Sequence, residues 1–126
     1  MIILDSNVWV AFFNKSDSQH QKAKKNLKEI TGKVTATEYV ILEVCSVLLV
    51  RAGKQVANKF LEIVFDNDDI EILLSDGGFF EKVINLFQEN NNKKLSFVDV
   101  SLLCLSKSHQ IVTFDKELLK ELKTGN

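Results

Sequence analysis

The sequence contains no proline, only 5 glycines and only 2 cysteines in 126 residues. The scarcity of glycine and proline argues against a collagen-like, linker-like or loop-rich chain and favours long regular elements joined by short connections. Cys45 and Cys104 both lie in apolar stretches, which is typical of reduced core thiols rather than of a disulfide framework. The longest apolar stretch, residues 40–50, is interrupted by Glu43 and Ser46 and falls short of the roughly 20 residues that span a membrane.

An excess of positive charge is also absent, since 16 basic and 17 acidic residues give a net charge of −1. This balance argues against a protein that is held on nucleic acid by bulk positive charge. The N-terminus has no basic region and reaches Asp5 too soon for a signal peptide, so we expect a cytoplasmic protein. With 45% hydrophobic residues, the chain is expected to form one domain over residues 1–126.

Short apolar runs alternate with longer segments of helical spacing. Residues 2–4 are an unbroken apolar run, typical of a strand buried on both faces of a parallel sheet. Phe80, Val83, Ile84 and Phe87 repeat at the spacing of one helix face. The pattern predicts an α/β fold, with a parallel sheet of four to five strands flanked by helices. The predicted strands are 2–4, 33–35, 70–74 and 110–113, and the predicted helices are 6–13, 17–30, 36–51, 54–65, 77–90, 97–108 and 116–123.

Two pairs of residues have the spacing of a capping box, Ser16 with Gln19 and Thr35 with Glu38, and each pair predicts the start of a helix. Gly53 is expected to end the helix that begins near residue 36. These limits place an acidic residue two turns into the helix that follows the second strand.

Four carboxylates are expected at one edge of the sheet. Asp5 closes the first strand, Asp115 closes the last, and Asp99 lies at the start of the helix before it. Ligands of open parallel sheets bind beyond the carboxyl ends of the strands, where these three positions map directly. Glu43 reaches the same edge if its helix runs back across it. Because the four charges would repel one another, they indicate a divalent cation such as Mg²⁺ or Mn²⁺, which can activate water for phosphodiester chemistry.

Helix capping is the alternative explanation for the three aspartates. Asp5 and Asp115 each precede a predicted helix, and Ser96 with Asp99 has capping-box spacing. For any single aspartate in such a position, a cap is the more common role. Glu43 differs, because it interrupts an apolar run, and a buried carboxylate without a partner is costly.

The residues around these carboxylates resemble the acidic motifs of PIN-domain ribonucleases. The length and the order of the motifs, from residue 1 to about 120, are most similar to the VapC-type toxins of prokaryotic toxin–antitoxin pairs. The motifs are Asp5-Ser6-Asn7 after a short apolar strand, Glu43 in an apolar helix, Leu95-Ser96-Phe97-Val98-Asp99, and Thr113-Phe114-Asp115.

The resemblance implies a parallel sheet ringed by helices and endonucleolytic cleavage of RNA that depends on one or two Mg²⁺ or Mn²⁺ ions per site. It also implies a homodimer and a cognate antitoxin protein. By resemblance, the metal-binding and catalytic residues are Asp5, Glu43, Asp99 and Asp115; Asn7 and Thr113 match supporting polar positions, and Glu117 falls where some members have a further acidic residue.

Two departures from the family pattern concern the C-terminus and the basic residues. The chain ends about ten residues after Asp115, so the strand that many members add after the last helix is expected to be short or absent. Arg51 is the only arginine, so phosphate contacts are expected from the 15 lysines. Lys93, Lys94 and Lys107, which are near Asp99 in sequence, are the candidate substrate contacts.

Three alternative functions remain open. The first is a catalytically inactive PIN-like module that binds RNA or protein, against which the presence of all four carboxylates argues. The second is a phospho-acceptor receiver domain, which needs paired acidic residues after the first strand, but Asp5 is followed by Ser6 and Asn7. The third is a haloacid-dehalogenase-like phosphatase, which needs an Asp at the position that Asn7 occupies.

The candidates for a dimer interface are helices 36–51 and 54–65, because they are apolar around more of their circumference than one core contact requires.

Overall fold

Residues 1–124 are described by the structure, which is a computed structural model. This part of the chain forms four strands and seven helices, with two helices between successive strands. The strands are β1 (Ile2–Leu4), β2 (Val34–Thr37), β3 (Ile70–Leu73) and β4 (Gln110–Val112); the helices are α1 (Ser6–Phe13), α2 (His20–Glu29), α3 (Glu38–Arg51), α4 (Lys54–Asp66), α5 (Gly77–Glu89), α6 (Phe97–Leu105) and α7 (Lys116–Thr124).

The four strands form one parallel sheet in the order β3-β2-β1-β4. The register is fixed at the centre, where Ile3 of β1 pairs with Thr35 on one side and with Ile111 on the other. Because the strands are parallel, their carboxyl ends share one edge, and Asp5 follows β1 at that edge. The predicted α/β fold, with a parallel sheet of four strands flanked by helices, is confirmed.

The core lies between this sheet and the helices packed on it. Ile3 and Leu4 are fully buried, which explains why β1 is an unbroken apolar run. Phe60 of α4 packs edge-on against Trp9 of α1, with ring centroids 5.6 Å apart, and against Phe13 at 5.5 Å. Contacts of this kind contribute about 0.5–1.5 kcal/mol each beyond simple burial. These aromatic contacts fix α1, and therefore Ser6 at its start, against the rest of the fold.

The predicted capping box of Ser16 with Gln19 is wrong. Gln19 precedes α2, but its side chain makes no capping hydrogen bond. The turn before the helix is instead held by Asn14, whose side chain accepts from the Ser16 amide at 3.2 Å, and by Asp17, which accepts from the Gln19 amide at 2.8 Å. These turns replace the first part of the predicted helix 17–30.

The predicted cap of α3 is also displaced, by two residues. Strand β2 continues to Thr37, which pairs with Leu73 of β3. Thr37 rather than Thr35 therefore caps α3, and its hydroxyl accepts from the Val40 amide at 3.2 Å. Gly53 follows the helix with φ of 98°, a conformation that favours glycine, so the predicted end of α3 is confirmed.

Cys45 and Cys104 are unpaired and half-buried, as predicted for core thiols, and burial raises the pKa of both. Helix α7 extends to Thr124, the last described residue, so nothing within residues 1–124 tests the expectation of a short or absent added strand. Residues 125–126, to which that expectation also extends, lie outside the described part of the chain. A search of the described helices for one long and apolar enough to cross a bilayer finds none.

Candidate active site

Four elements supply the four predicted carboxylates. Asp5 follows β1, Glu43 lies in the second turn of α3, Asp99 lies in the first turn of α6, and Asp115 immediately precedes α7. Asp5 is only 2% exposed and Asp99 only 8%, and the other two are half-buried. The charges of Glu43 and Asp99 act on Asp5, and those of Glu43 and Asp115 act on Asp99. The structure therefore brings all four to the predicted edge of the sheet.

Asp5 is tied to the end of β4 by a polar network. Its Oδ2 accepts from the Thr113 hydroxyl at 2.7 Å, and its Oδ1 accepts from the Ser6 amide at 2.7 Å. Asn7 donates through Nδ2 to Thr113 Oγ1 at 3.2 Å, and its Oδ1 accepts from the Phe114 amide at 3.2 Å. Asn7 and Thr113 thus lie beside Asp5 in the supporting positions that the resemblance assigned to them.

Ser6 is the site residue to which sequence reasoning assigned no role. Its hydroxyl donates to Glu43 Oε1, which links the start of α1 to α3. Asp5 Oδ1 also lies 3.4 Å from this hydroxyl, but a hydroxyl has one hydrogen to donate, and the closer oxygen is that of Glu43. Ser6 is the first residue of α1, and its role depends on a tertiary contact with Glu43 that the sequence does not display.

Helix capping is confirmed for the aspartates. Asp99 Oδ2 accepts from the Ser96 amide at 2.9 Å, and Ser96 Oγ accepts from the Asp99 amide at 3.1 Å, which closes a capping box. Asp115 Oδ1 accepts from the amides of Glu117 at 2.8 Å and Leu118 at 3.4 Å. Asp5 caps α1 through the Ser6 amide.

Capping nevertheless leaves part of the acceptor capacity of these carboxylates unused. Within residues 1–124, no hydrogen bond reaches Glu43 Oε2, Asp99 Oδ1 or Asp115 Oδ2. No lysine or arginine in the same range forms an ion pair with any of the four. Capping also offers no explanation for Glu43, which lies inside its helix. Three of the four side chains therefore keep an oxygen for a further partner.

The pKa values of the two most buried carboxyl groups are displaced upward. Burial raises the pKa of Asp5 to about 6, and the charges of Asp99 and Glu43 add to this, although hydrogen bonds from Thr113 and Ser6 oppose it. Burial also raises the pKa of Asp99, with further contributions from Asp115 and Glu43. Both shifts mean that the ionised forms lack a compensating positive charge. Such shifts are typical of functional sites.

The donor set fits a hard divalent cation in its chemistry. All four groups are carboxylates, which are preferred ligands of Mg²⁺ and Mn²⁺, and three have a free oxygen. In the described residues, however, no three histidine, cysteine or acidic side chains are arranged so that they could jointly hold one ion. The residues thus fit such an ion in type and in position on the fold, and joint coordination requires their side chains to turn toward one another.

The remaining predicted residues divide into two groups. Glu117 lies beside Asp115, and its Oε2 is 4.0 Å from Lys94 Nζ and 3.6 Å from Lys120 Nζ. Lys94 thus lies within ion-pair distance of Glu117, and Lys93 is exposed beside it. Lys107 lies beyond the far end of α6, before β4 begins, and lines a separate cleft with Glu121. Since β4 begins at the edge opposite Asp5, the structure does not bring Lys107 to the site.

The family model described as "PIN domain" matches residues 2–123 of this sequence. Among solved structures, the fold is similar to that of the Mycobacterium tuberculosis toxin VapC20, described as a sarcin-ricin loop cleaving toxin. The similarity covers 95% of this chain and 94% of that one, with a TM-score of 0.87 and 22% sequence identity. A search of curated proteins gives no match.

Proposed function

The chain belongs to the PIN-domain family, and on that premise we propose that it is a Mg²⁺- or Mn²⁺-dependent endoribonuclease that hydrolyses RNA phosphodiesters. The proposed metal-binding and catalytic residues are Asp5, Glu43, Asp99 and Asp115. One observation carries the proposal: four carboxylates from four separate elements converge on one edge of the sheet, and no cationic side chain within residues 1–124 is paired with them.

The chain's own residues orient these carboxylates. Thr113 and the Ser6 amide each hold one oxygen of Asp5, so that this side chain is fixed at the carboxyl edge of the sheet. The Ser6 hydroxyl turns Glu43 toward Asp5. Removal of such supporting hydrogen bonds typically lowers metal affinity or activity 10–100-fold. One or two divalent cations, when bound, would supply an activated water and neutralise charge on the phosphate.

We further propose that this ribonuclease is the toxin of a type II toxin–antitoxin pair and has a cognate antitoxin protein as its partner. The support is the likeness in fold to VapC20, which is described as a toxin. We also propose that residues 1–126 form one nuclease domain, because the family model extends from residue 2 to residue 123. A small antitoxin-like reading frame immediately upstream of the gene would support the pairing.

The proposed function also includes a homodimer. Leu42, Leu49 and Val50 of α3 are 64%, 48% and 85% exposed, and Phe65 of α4 is 61% exposed. Leu42, Leu49 and Val50 share one face of α3, since they are seven and eight residues apart. This exposed apolar stripe supports the predicted interface on these two helices.

The proposal is tested by incubating the purified chain with single-stranded RNA and Mn²⁺. We expect the wild-type protein to cleave the RNA internally and the Asp5→Asn variant to cleave it at least about 100-fold more slowly. Removal of a residue that only supports a metal ligand typically costs 10–100-fold, and Asp5 is proposed as a ligand itself. Asp68→Asn is the matched control, because Asp68 is an exposed turn residue remote from the site. Equal cleavage by Asp5→Asn and Asp68→Asn would contradict the assignment.

The second candidate function is a catalytically inactive PIN-like module that binds RNA or protein. It is favoured by the absence, among the described residues, of three side chains arranged to hold one ion, and by the caps that each aspartate forms. Calorimetric titration with Mn²⁺ separates the two candidates. Saturable binding that the Asp5→Asn variant lacks supports the nuclease, and no binding by the wild-type protein supports the inactive module.

A further inference from the structure

A groove of about 330 Å³ leads away from the carboxylates along one side of α3. Ser6, Asn7 and Glu43 line its inner end, and Arg51 lines its outer end. Glu43, Val47 and Arg51 are four residues apart in turn and so lie on one face of the helix. At 1.5 Å per residue, about 12 Å of helix separates Glu43 from Arg51. We call this feature the α3 groove.

Arg51 is chemically distinct from every other basic residue of the protein. It is the only arginine, its side chain is exposed, and within residues 1–124 it forms no ion pair. A guanidinium presents a planar fork that binds phosphate through two parallel hydrogen bonds, which lysine cannot reproduce. Sequence reasoning left phosphate contacts to the lysines, but the structure places the one arginine in line with Glu43.

A second part of the lining comes from Phe114, which stands between Thr113 and Asp115 in the chain. Lys22 Nζ lies 4.8 Å from the centroid of its ring. Aromatic side chains are typical stacking surfaces for the bases of a single strand, and a base on the ring face that Lys22 covers would replace this cation–π contact. Asp17 also lines the groove, and one of its carboxylate oxygens accepts from the Gln19 amide.

We propose that the α3 groove holds the part of the RNA strand that adjoins the scissile phosphate. Arg51 binds a second phosphate a few nucleotides from the scissile one, and Phe114 stacks on a base between these two phosphates. This inference rests on the proposed ribonuclease function. Arg51 is a positioning residue, because about 12 Å of helix separates it from Glu43. It fixes where along the strand the carboxylates act.

The test compares Arg51→Gln with Lys54→Gln, which removes the same charge three residues away and outside the groove lining. Both changes are made in an Asp99→Asn background that does not cleave, and affinity for a short labelled single-stranded RNA is measured by fluorescence anisotropy. We expect Arg51→Gln to weaken binding about tenfold, as for one charge-assisted hydrogen bond. The slope of log K against log salt should fall by about 0.7, as for one phosphate contact on a single strand. Lys54→Gln should leave the slope unchanged.

A kinetic comparison in the cleaving protein adds a readout that a purely structural role would not give. Arg51→Gln should raise KM about tenfold and leave kcat nearly unchanged, since it removes binding that is equal in the ground and transition states. The inference about Arg51 would be overturned if Arg51→Gln left the RNA affinity and the salt slope unchanged. It would also be overturned if Arg51→Gln and Lys54→Gln lost equal affinity, and neither result would contradict the proposed ribonuclease function. A wild-type protein that neither binds nor cleaves RNA would overturn the proposed function as well.

Discussion

Asp5 is nearly inaccessible to water, and burial is the main reason why its pKa rises from 3.8 to about 6. Because the folded pKa lies above the ordinary value, Asp5 stabilises the fold while it is protonated, below about pH 4. That contribution is lost as the pH rises through 6. One pKa unit corresponds to about 1.4 kcal/mol, so ionised Asp5 costs the metal-free fold about 3 kcal/mol at pH 7.

The stability of the Asp5→Asn variant relative to the wild-type protein should therefore rise as the pH increases from about 4 to 7. We expect the difference in the free energy of unfolding to increase by about 3 kcal/mol between these pH values, since only the wild-type side chain ionises. Urea denaturation in EDTA at several pH values measures it. A difference that does not change with pH would contradict the assigned pKa.

Asp99 allows capping and catalysis to be separated, because Asn retains the acceptor oxygen of a cap and removes the charge. Asp99→Asn should keep the stability of the fold and lose RNA cleavage. Ser96→Ala should do the reverse, since it removes the hydroxyl of the capping box and leaves the Asp99 carboxylate in place. Its expected cost is about 1 kcal/mol of stability.

Thermal unfolding and RNA cleavage, measured on both variants, decide between these roles. If Ser96→Ala lost cleavage to the same extent as Asp99→Asn while both remained folded, Asp99 would act only through its cap. Cleavage at the wild-type rate by Asp99→Asn would remove this residue from the catalytic set.

The residue scale also shows how far the sequence could lead. Asp5 and Asp115 are identifiable because each stands at the end of a strand, Glu43 because it interrupts an apolar run, and Asp99 because it stands at a predicted helix start. Asn7 and Thr113 are identifiable only through the resemblance to PIN-domain motifs. Ser6 and Arg51 are not identifiable in this way. Their roles depend on where α3 lies relative to α1, which is set by side-chain packing across the core and leaves no local pattern in the sequence.

At the scale of elements, the start of α3 is where local signals and tertiary structure disagree. Thr35 with Glu38 has capping-box spacing, but β2 extends to Thr37 because that residue pairs with Leu73 of β3. Pairing with a neighbouring strand outweighs a local capping preference of about 1 kcal/mol. Glu38 instead accepts from the amide and hydroxyl of Ser75, both at 2.7 Å.

This arrangement predicts different effects for two nearby threonines. Thr37→Ala should lower the free energy of unfolding by about 1 kcal/mol, the usual cost of a lost N-cap. Thr35→Val should be neutral or stabilising, because the buried Thr35 hydroxyl has no hydrogen-bond partner within residues 1–124 and Val has nearly the same shape. Urea titration of both variants tests the position of the cap. A larger loss of unfolding free energy in Thr35→Val than in Thr37→Ala would instead support Thr35 as the cap, as the sequence predicted.

At the scale of the whole molecule, the balanced charge conceals two different surfaces. When the four site carboxylates are set aside, the net charge changes from −1 to +3. A mildly basic body around an acidic site is compatible with a polyanionic substrate. The fold itself was predictable at this scale, because alternating strands and helices of these lengths permit few arrangements other than a parallel sheet.

The exposed apolar stripe of α3 gives a prediction about assembly. Replacing Leu49 and Val50 together by Glu should convert the proposed dimer to a monomer, since two charges would be buried without partners. Leu74→Glu is the control, because Leu74 is 70% exposed and follows β3 beside the start of α3, at the other end of that helix from Leu49 and Val50. Sedimentation equilibrium measures the mass. A dimer that survives the double change would place the interface elsewhere.

The central claim, that these carboxylates form a metal-dependent RNA-cleaving site, is tested most directly by the rate of RNA cleavage as Mn²⁺ is added to the EDTA-treated wild-type protein. We predict no cleavage in EDTA, a rate that rises and saturates with Mn²⁺, and products cut inside the strand. Cleavage that persists in EDTA, or no cleavage at any Mn²⁺ concentration, would contradict the account.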